Sequence, residues 1–223
     1  MQGATLKLGV GVLVACAVLA ACGSTTRAAV STGVQPTGAA RAADMKPVTP
    51  DGRYQFVAAD VHFMTGMISH HAQAVVMAGW APTHAAATPV RLLCERIVVG
   101  QGDEIKLMQT WLRDRKQPVP AANALRMKMM MNGMEHDMLM PGMLSDEEMA
   151  QLDKARGPEF DRLFIEGMIK HHYGAITMVD EMFGTPGAGQ DEIVFRFASD
   201  VYADQTTEIE RMQKMLTSLQ GKP

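Results

Sequence analysis

The chain reads as an all-α protein, a four-helix bundle assembled from two copies of one helical hairpin. Three observations predict this. A block of sequence recurs at a fixed offset, a second block follows each copy, and both blocks space their apolar residues three and four apart rather than alternately.

The N-terminus comes first. Lys7 precedes an uncharged run from Leu8 to Ala21, about 14 residues, which is the layout of a secretory signal and is short for a membrane span. The run ends in Leu19-Ala20-Ala21-Cys22, a pattern similar to a bacterial lipobox, so residues 1–21 are expected to be a leader and Cys22 the lipidated first residue of the mature chain. No Arg-Arg pair precedes the run, which favours the general secretory route. Residues 22–50 are rich in Ser, Thr, Ala, Gly and Pro. They cannot bury enough apolar surface to offset the entropy of ordering, and so read as a tether. The protein is thereby placed outside the cytoplasm, held to the cell membrane or an outer membrane by lipid alone.

Residues 51–220 are one domain's worth of chain. Asp60-x2-Phe63-x3-Met67-x2-His70-His71-x2-Ala74-x2-Met77 recurs, at an offset of 101, as Asp161-x2-Phe164-x3-Met168-x2-His171-His172-x2-Ala175-x2-Met178. The second block, Gln101-x2-Glu104-Ile105-x2-Met108-x3-Leu112, returns at an offset of 104 as Gln205-x2-Glu208-Ile209-x2-Met212-x3-Leu216. The difference of three residues must fall in the loop between the blocks. Repeat one is expected over 51–116, a Met-rich connection over 117–157 and repeat two over 158–220.

Punctuation fits this division. Pro82 and Thr88-Pro89 break the first hairpin, with Thr88 the expected N-cap, and the stretch from Gly184 to Gly189 breaks the second. Ser145-Asp146-Glu147-Glu148 reads as a capping box opening a short helix that Gly157 ends, and Pro158 then starts the next. Hairpins with short loops pack antiparallel, which brings matching residues of the two copies together.

At 100° per residue Asp60, Met64, Met67 and His71 fall within about 80° of arc on one helix. Asp161, Met168 and His172 do the same on another. His70 and His171 stand about 100° away, at the edge of that face, where they would complete a site or line its mouth. Glu104 and Glu208 flank apolar stripes on the partner helices and need a buried partner; a metal-bound histidine, or Asp60 and Asp161, would supply one. Between the repeats Met127 to Met143 holds eight methionines in 17 residues, including Met130, Met131, Met134 and Met138, together with His136. Gly133, Pro141 and Gly142 break any helix there. Thioether and imidazole donors suit copper(I), and imidazoles with carboxylates accommodate copper(II). The segment therefore reads as a solvent-accessible soft-metal element, or else as a Met-rich lid over the bundle. Cys94 aligns with Ala198 and reads as a small core residue.

The paired His-His motifs, the Gln-x2-Glu-Ile-x2-Met blocks and the lipobox together resemble the bacterial domain of unknown function 305 family, over about Asp51 to Gln220. The resemblance implies a ferritin-like four-helix bundle, export and, in some members, Met- and His-rich copper binding in the periplasm or at the cell surface. The positions it carries over are His70, His71, His171 and His172 with Met67 and Met168, and the intervening Met segment.

A formal net charge of -3 with scattered basic residues offers no positive face for nucleic acid. Three functions compete. The first is copper sequestration or transfer, which needs no reaction and no organic cofactor. The second is a ferritin-like redox enzyme. Such centres use Glu-x-x-His, which no Glu of this chain provides. The third is a metal-free interaction module with a methionine surface.

Overall fold

The computed structural model describes residues 55–221. The expected leader, Cys22 and the tether lie outside the described residues. The elements are α1 (Ala58–Gly79), α2 (Ala81–His84), α3 (Thr88–Asp114), β1 (Met127–Met131), β2 (Met134–Met138), α4 (Asp146–Lys154), α5 (Pro158–Phe183) and α6 (Glu192–Gln220). None of the described helices is long and apolar enough to cross a membrane.

The four long helices form two hairpins, α1 on α3 and α5 on α6, which meet along α1 and α5. These two central helices run antiparallel: Gly66 of α1 faces Met178 of α5, and Gly167 of α5 faces Met77 of α1. The two contacts map onto each other through the repeat, Gly66 onto Gly167 and Met178 onto Met77, as an approximate twofold between the copies requires.

Local signals explain most helix ends. Ser145 Oγ accepts the Glu148 N–H at 3.2 Å while Glu148 Oε2 accepts the Ser145 N–H at 2.7 Å, the reciprocal capping box read from sequence. Gly157, at φ 64, precedes α5. The expectation that Thr88 caps α3 is corrected. The N-cap is Ala87, which makes no side-chain cap bond. Its backbone N–H is instead held at 2.8 Å by Asp161 Oδ2 from the other repeat, so a long-range clamp replaces the local one. Asp191, by contrast, caps α6 by accepting Ile193 and Val194 N–H groups. It also accepts Trp111 Nε1–H at 3.1 Å and pairs with Arg115, tying the end of α3 to the start of α6.

Asn132 (φ 52) and Gly133 (φ 78) form the turn of an antiparallel hairpin in which Met131 pairs with Met134 and Met127 with Met138. Two left-handed residues in succession are what a tight hairpin turn needs. After this hairpin the connection crosses α5 where neither chain has a side chain. A Cβ on Gly174 would lie 2.0 Å from the Pro141 carbonyl oxygen, and one on Gly142 would lie 2.7 Å from Gly174 Cα. At the equivalent position of repeat one stands Gln73, whose amide donates to the Leu144 carbonyl at 2.9 Å and accepts its N–H at 2.7 Å. The two repeats therefore diverge at this position because one must grip the connection and the other must let it pass.

The apolar core falls into two clusters. One includes Phe63, Met67, Ile68, Ile105, Met108, Trp111, Ala175, Val179, Phe197 and Val201; the other includes Ala74, Met77, Leu93, Ile97, Phe164, Met168, Ile209 and Met212. Every long helix changes cluster near its middle, α3 between Ile97 and Ile105 and α6 between Val201 and Ile209. What separates the clusters is a polar layer.

Candidate metal centre

The layer is built from the same step of all four long helices: His70 and His71 on α1, Gln101 and Glu104 on α3, His171 and His172 on α5, Gln205 and Glu208 on α6. The four imidazoles are 0% exposed and the two glutamines 5%. An imidazole and a carboxylate meet across each hairpin, His71 Nε2 at 2.7 Å from Glu104 Oε2 and His172 Nε2 at 2.7 Å from Glu208 Oε2. Glu104 and Glu208 thus find histidine partners, as their place beside an apolar stripe demands.

At the contact of α1 and α5 the rings of His70 and His171 lie 3.7 Å apart, centroid to centroid, tilted by 35°. His171 Nε2 donates to the His70 carbonyl at 2.9 Å, and His70 Nε2 donates to the Pro141 carbonyl at 3.1 Å. Sequence placed these two residues at an edge or a mouth. They are buried, because the edge of α1 that carries His70 is the one that packs on α5.

These bonds fix the protonation pattern. A carbonyl oxygen or a carboxylate only accepts, so each Nε2 carries a proton, and in the neutral ring Nδ1 then keeps a lone pair. All four Nδ1 atoms are buried with no hydrogen-bond partner among the described residues, and so are both amide atoms of Gln101 and Oε1 of Gln205. Burial, before any neighbouring charge, holds His70 and His171 well below the ordinary imidazole range. They are neutral, the form in which imidazole binds metal.

Thioethers flank the layer on both sides. Met67 and Met108 border it in the first cluster, Met168 and Met212 in the second. Each stands three or four residues from a layer histidine or glutamate on its own helix, the spacing of side-chain neighbours. Met108 and Met212 are not among the ligands expected from sequence, although their four-residue spacing from Glu104 and Glu208 is visible there. Met64 is buried in the first cluster, and its counterpart Ile165 is purely apolar.

Asp60 and Asp161 are corrected. They share a helical face with His71 and His172 but stand 11 residues away in each copy, about 16 Å along the axis. Their oxygens are taken by backbone amides: Asp60 accepts Val57 N–H at 2.8 Å and Gly189 N–H at 2.7 Å, Asp161 accepts Ala86 N–H at 3.1 Å and Ala87 N–H at 2.8 Å. Each carboxylate pins the other repeat's interhelix loop, a role that angular position alone does not reveal.

The Met segment divides. Met127, Met140 and Met143 are buried, Met138 is half-buried, and Met130, Met131, Met134 and His136 are exposed on the hairpin. The exposed ones face solvent rather than the imidazoles. Outside the layer, Asp204 is pushed above the usual carboxylate range by partial burial and by Glu104, Asp200 and Glu208 nearby. These carboxylates form an acidic face on α3 and α6 beside the layer. Cys94 is 1% exposed and its thiol is pushed up to about 12 by burial, consistent with an inert core residue.

Among the described residues no three His, Cys, Asp or Glu side chains converge as a ready ligand cage. The layer offers instead paired imidazoles with thioethers beside them, a low-coordination donor set that suits a monovalent soft ion better than one demanding four or more ligands.

A family model described as a domain of unknown function (DUF305) matches residues 60–216. A DUF305 protein from Streptomyces coelicolor, described as secreted, is 26% identical with a TM-score of 0.60, over 74% of this chain and 95% of that one. CopM in a Cu(I)-bound form is 27% identical with a TM-score of 0.55, over 75% of this chain and 100% of that one. CopM in a Cu(II)-bound form is 28% identical with a TM-score of 0.55, over 71% and 96%. No curated protein matches the chain.

Proposed function

Since this chain belongs to the DUF305 family, we propose that it is an exported copper-binding protein, holding the metal in the polar layer of its bundle and sequestering or transferring it outside the cytoplasm. The observation that carries this reading is the set of four buried imidazole Nδ1 atoms without partners. A buried polar atom left unpaired costs about 1–3 kcal/mol. Seven such atoms in one layer represent a cost of the same order as the ~5–15 kcal/mol net stability of a domain. A bound cation offsets the part of that cost that lies on the imidazole and amide-oxygen lone pairs.

Copper is cargo here, and no bond of a substrate need be made or broken. The Nδ1 atoms of His70, His71, His171 and His172 are the donors, with Met67 and Met168 as the nearest thioethers on their helices. Glu104, Glu208 and the Pro141 and His70 carbonyls hold the tautomer and orient the rings from behind, as partners of ligating histidines commonly do. The thioethers favour copper(I); the imidazoles also accept copper(II). The copper forms of CopM support the choice of metal, and the Streptomyces relative's description as a secreted protein supports export, with the lipid on Cys22 as the anchor.

The test is anaerobic titration with copper(I) against a competing chelator, comparing the parent protein, His71→Ala/His172→Ala and the hairpin-tip variant Met130→Ser/Met131→Ser/Met134→Ser. Loss of tight binding equivalents in the histidine variant, with the tip variant unchanged, is the expected result. A folded histidine variant that keeps every equivalent would remove the layer from the reading.

A further inference from the structure

The histidine layer leaves a second group of soft donors unused. A Cβ built on Gly66 would lie 2.8 Å from Met140 Sδ, 3.3 Å from Met127 Sδ and 3.3 Å from Met178 Cε. Three methionines from three separate elements (β1, the connection after β2, and α5) therefore converge on one residue that has no side chain. The two sulfurs are at most about 6 Å apart, and the three rotatable bonds of each side chain allow both to reach a common ion. All three methionines are 6% exposed.

Methionine also fills irregular gaps, and the chain contains its own control for that explanation. The internal repeat maps Gly66 onto Gly167 and Met178 onto Met77. A Cβ on Gly167 would meet Leu144 Cδ2 at 3.2 Å, Leu144 Cδ1 at 3.5 Å and Met77 Cε at 3.4 Å. The same hollow in the other half is thus closed by one leucine where this half uses two thioethers. Filling does not require sulfur.

The site also has a route to solvent. Met140 and Met178 line a cavity of about 760 Å³ that His62, Met138, Glu181 and Met182 border as well. His62 and Glu181 are exposed, so an imidazole and a carboxylate stand at the rim of an otherwise thioether-rich recess, where the carboxylate concentrates cations and balances their charge.

We propose that Met127, Met140 and Met178 form a second binding site, made of thioethers alone, for a soft monovalent cation of the copper(I) or silver(I) class. Neutral thioethers select such ions over divalent or hard ones. The site is separate from the histidine layer and stands whether or not that layer binds metal.

The experiment uses protein labelled with ¹³C at the methionine methyls, titrated with silver nitrate, in the parent, in His71→Ala/His172→Ala and in Met127→Leu/Met140→Leu/Met178→Leu. Leucine conserves volume, so the fold is retained, and Met77→Leu, at the equivalent hollow of the other repeat, is the control for loss of a core thioether in general. The expected result is that the Met127, Met140 and Met178 methyl signals shift with the first equivalents in both the parent and the histidine variant. The triple leucine variant then binds one equivalent fewer, and the control variant binds as many as the parent. The proposal is overturned if the triple variant keeps the full number of equivalents, or if those three signals stay fixed while only the exposed Met130, Met131 and Met134 move.

Discussion

His171 donates its Nε2 proton to the main-chain carbonyl of His70, and the two rings lie 3.7 Å apart at 0% exposure. Matching residues of the two repeats thus touch at the contact of the two hairpins, and both rings must stay neutral for the contact to hold.

Stability should therefore depend on pH in one direction. The folded pKa values of His70 and His171 are depressed, chiefly by burial, whereas the unfolded chain takes up protons near 6.5. Below that value the unfolded state binds more protons than the folded one, so stability falls as pH is lowered, and above it these two groups contribute no slope. The loss approaches ~1.4 kcal/mol per pH unit for each histidine. Urea denaturation between pH 7.5 and 5 measures it, and a flat or opposite trend would contradict the burial of these rings as neutral groups.

The carboxylates behind the outer histidines should tune metal affinity without touching the metal. Glu104→Gln and Glu208→Gln keep an acceptor for His71 and His172 but remove the charge that strengthens the imidazole as a donor. Copper affinity is expected to fall about 10–100-fold with the helical circular dichroism spectrum preserved. Unchanged affinity in the double variant would show that these pairs are structural only.

The connection has its own point of failure. Gly174→Ala drives a methyl into the Pro141 carbonyl, 2.0 Å away, and should both destabilise the protein and release the bond that orients His70. At Gly79, near the end of α1, an added Cβ would meet nothing within 4 Å, and Gly79→Ala should be neutral or stabilise by up to ~1 kcal/mol. Thermal melts of the two single variants make the comparison, and equal melting temperatures would refute the close crossing.

Much of this was legible in the sequence, for reasons that differ by residue. The duplication, the Ser145 capping box and the pairing of Glu104 and Glu208 with buried partners follow from spacing, which helices translate directly into position. The roles of Asp60 and Asp161 did not follow, because a helical wheel reports angle and discards the ~16 Å along the axis. The β-hairpin went unread although Asn132-Gly133 is a strong turn signal: its flanks are methionines, which carry neither β-branching nor alternation. Gln101 and Gln205 recur at matching places in the two repeats, but only the folded bundle shows that they share one layer with all four histidines.

Asp191 joins the two hairpins through buried contacts that are independent of metal. It caps α6, accepts the Trp111 indole N–H and pairs with Arg115, whose guanidinium lies 4.3 Å from the Trp111 ring. Asp191→Ala leaves Arg115, which is 7% exposed, without its partner, and a loss of about 3–5 kcal/mol is expected. Chemical denaturation measures it. A loss below about 1 kcal/mol, the range of a surface pair, would show that the end of α3 and the start of α6 are held by other means.

The central claim, that four buried Nδ1 lone pairs are metal donors, is tested most directly by long-range ¹H–¹⁵N spectra of the histidine side chains before and after addition of one equivalent of copper(I) under anaerobic conditions. The account predicts that His70, His71, His171 and His172 all begin as the Nε2–H tautomer. On binding, Nδ1 resonances of this set should move while the Nε2 protons remain. Copper bound with all four Nδ1 signals unchanged, or Nδ1-protonated rings in the metal-free protein, would contradict it.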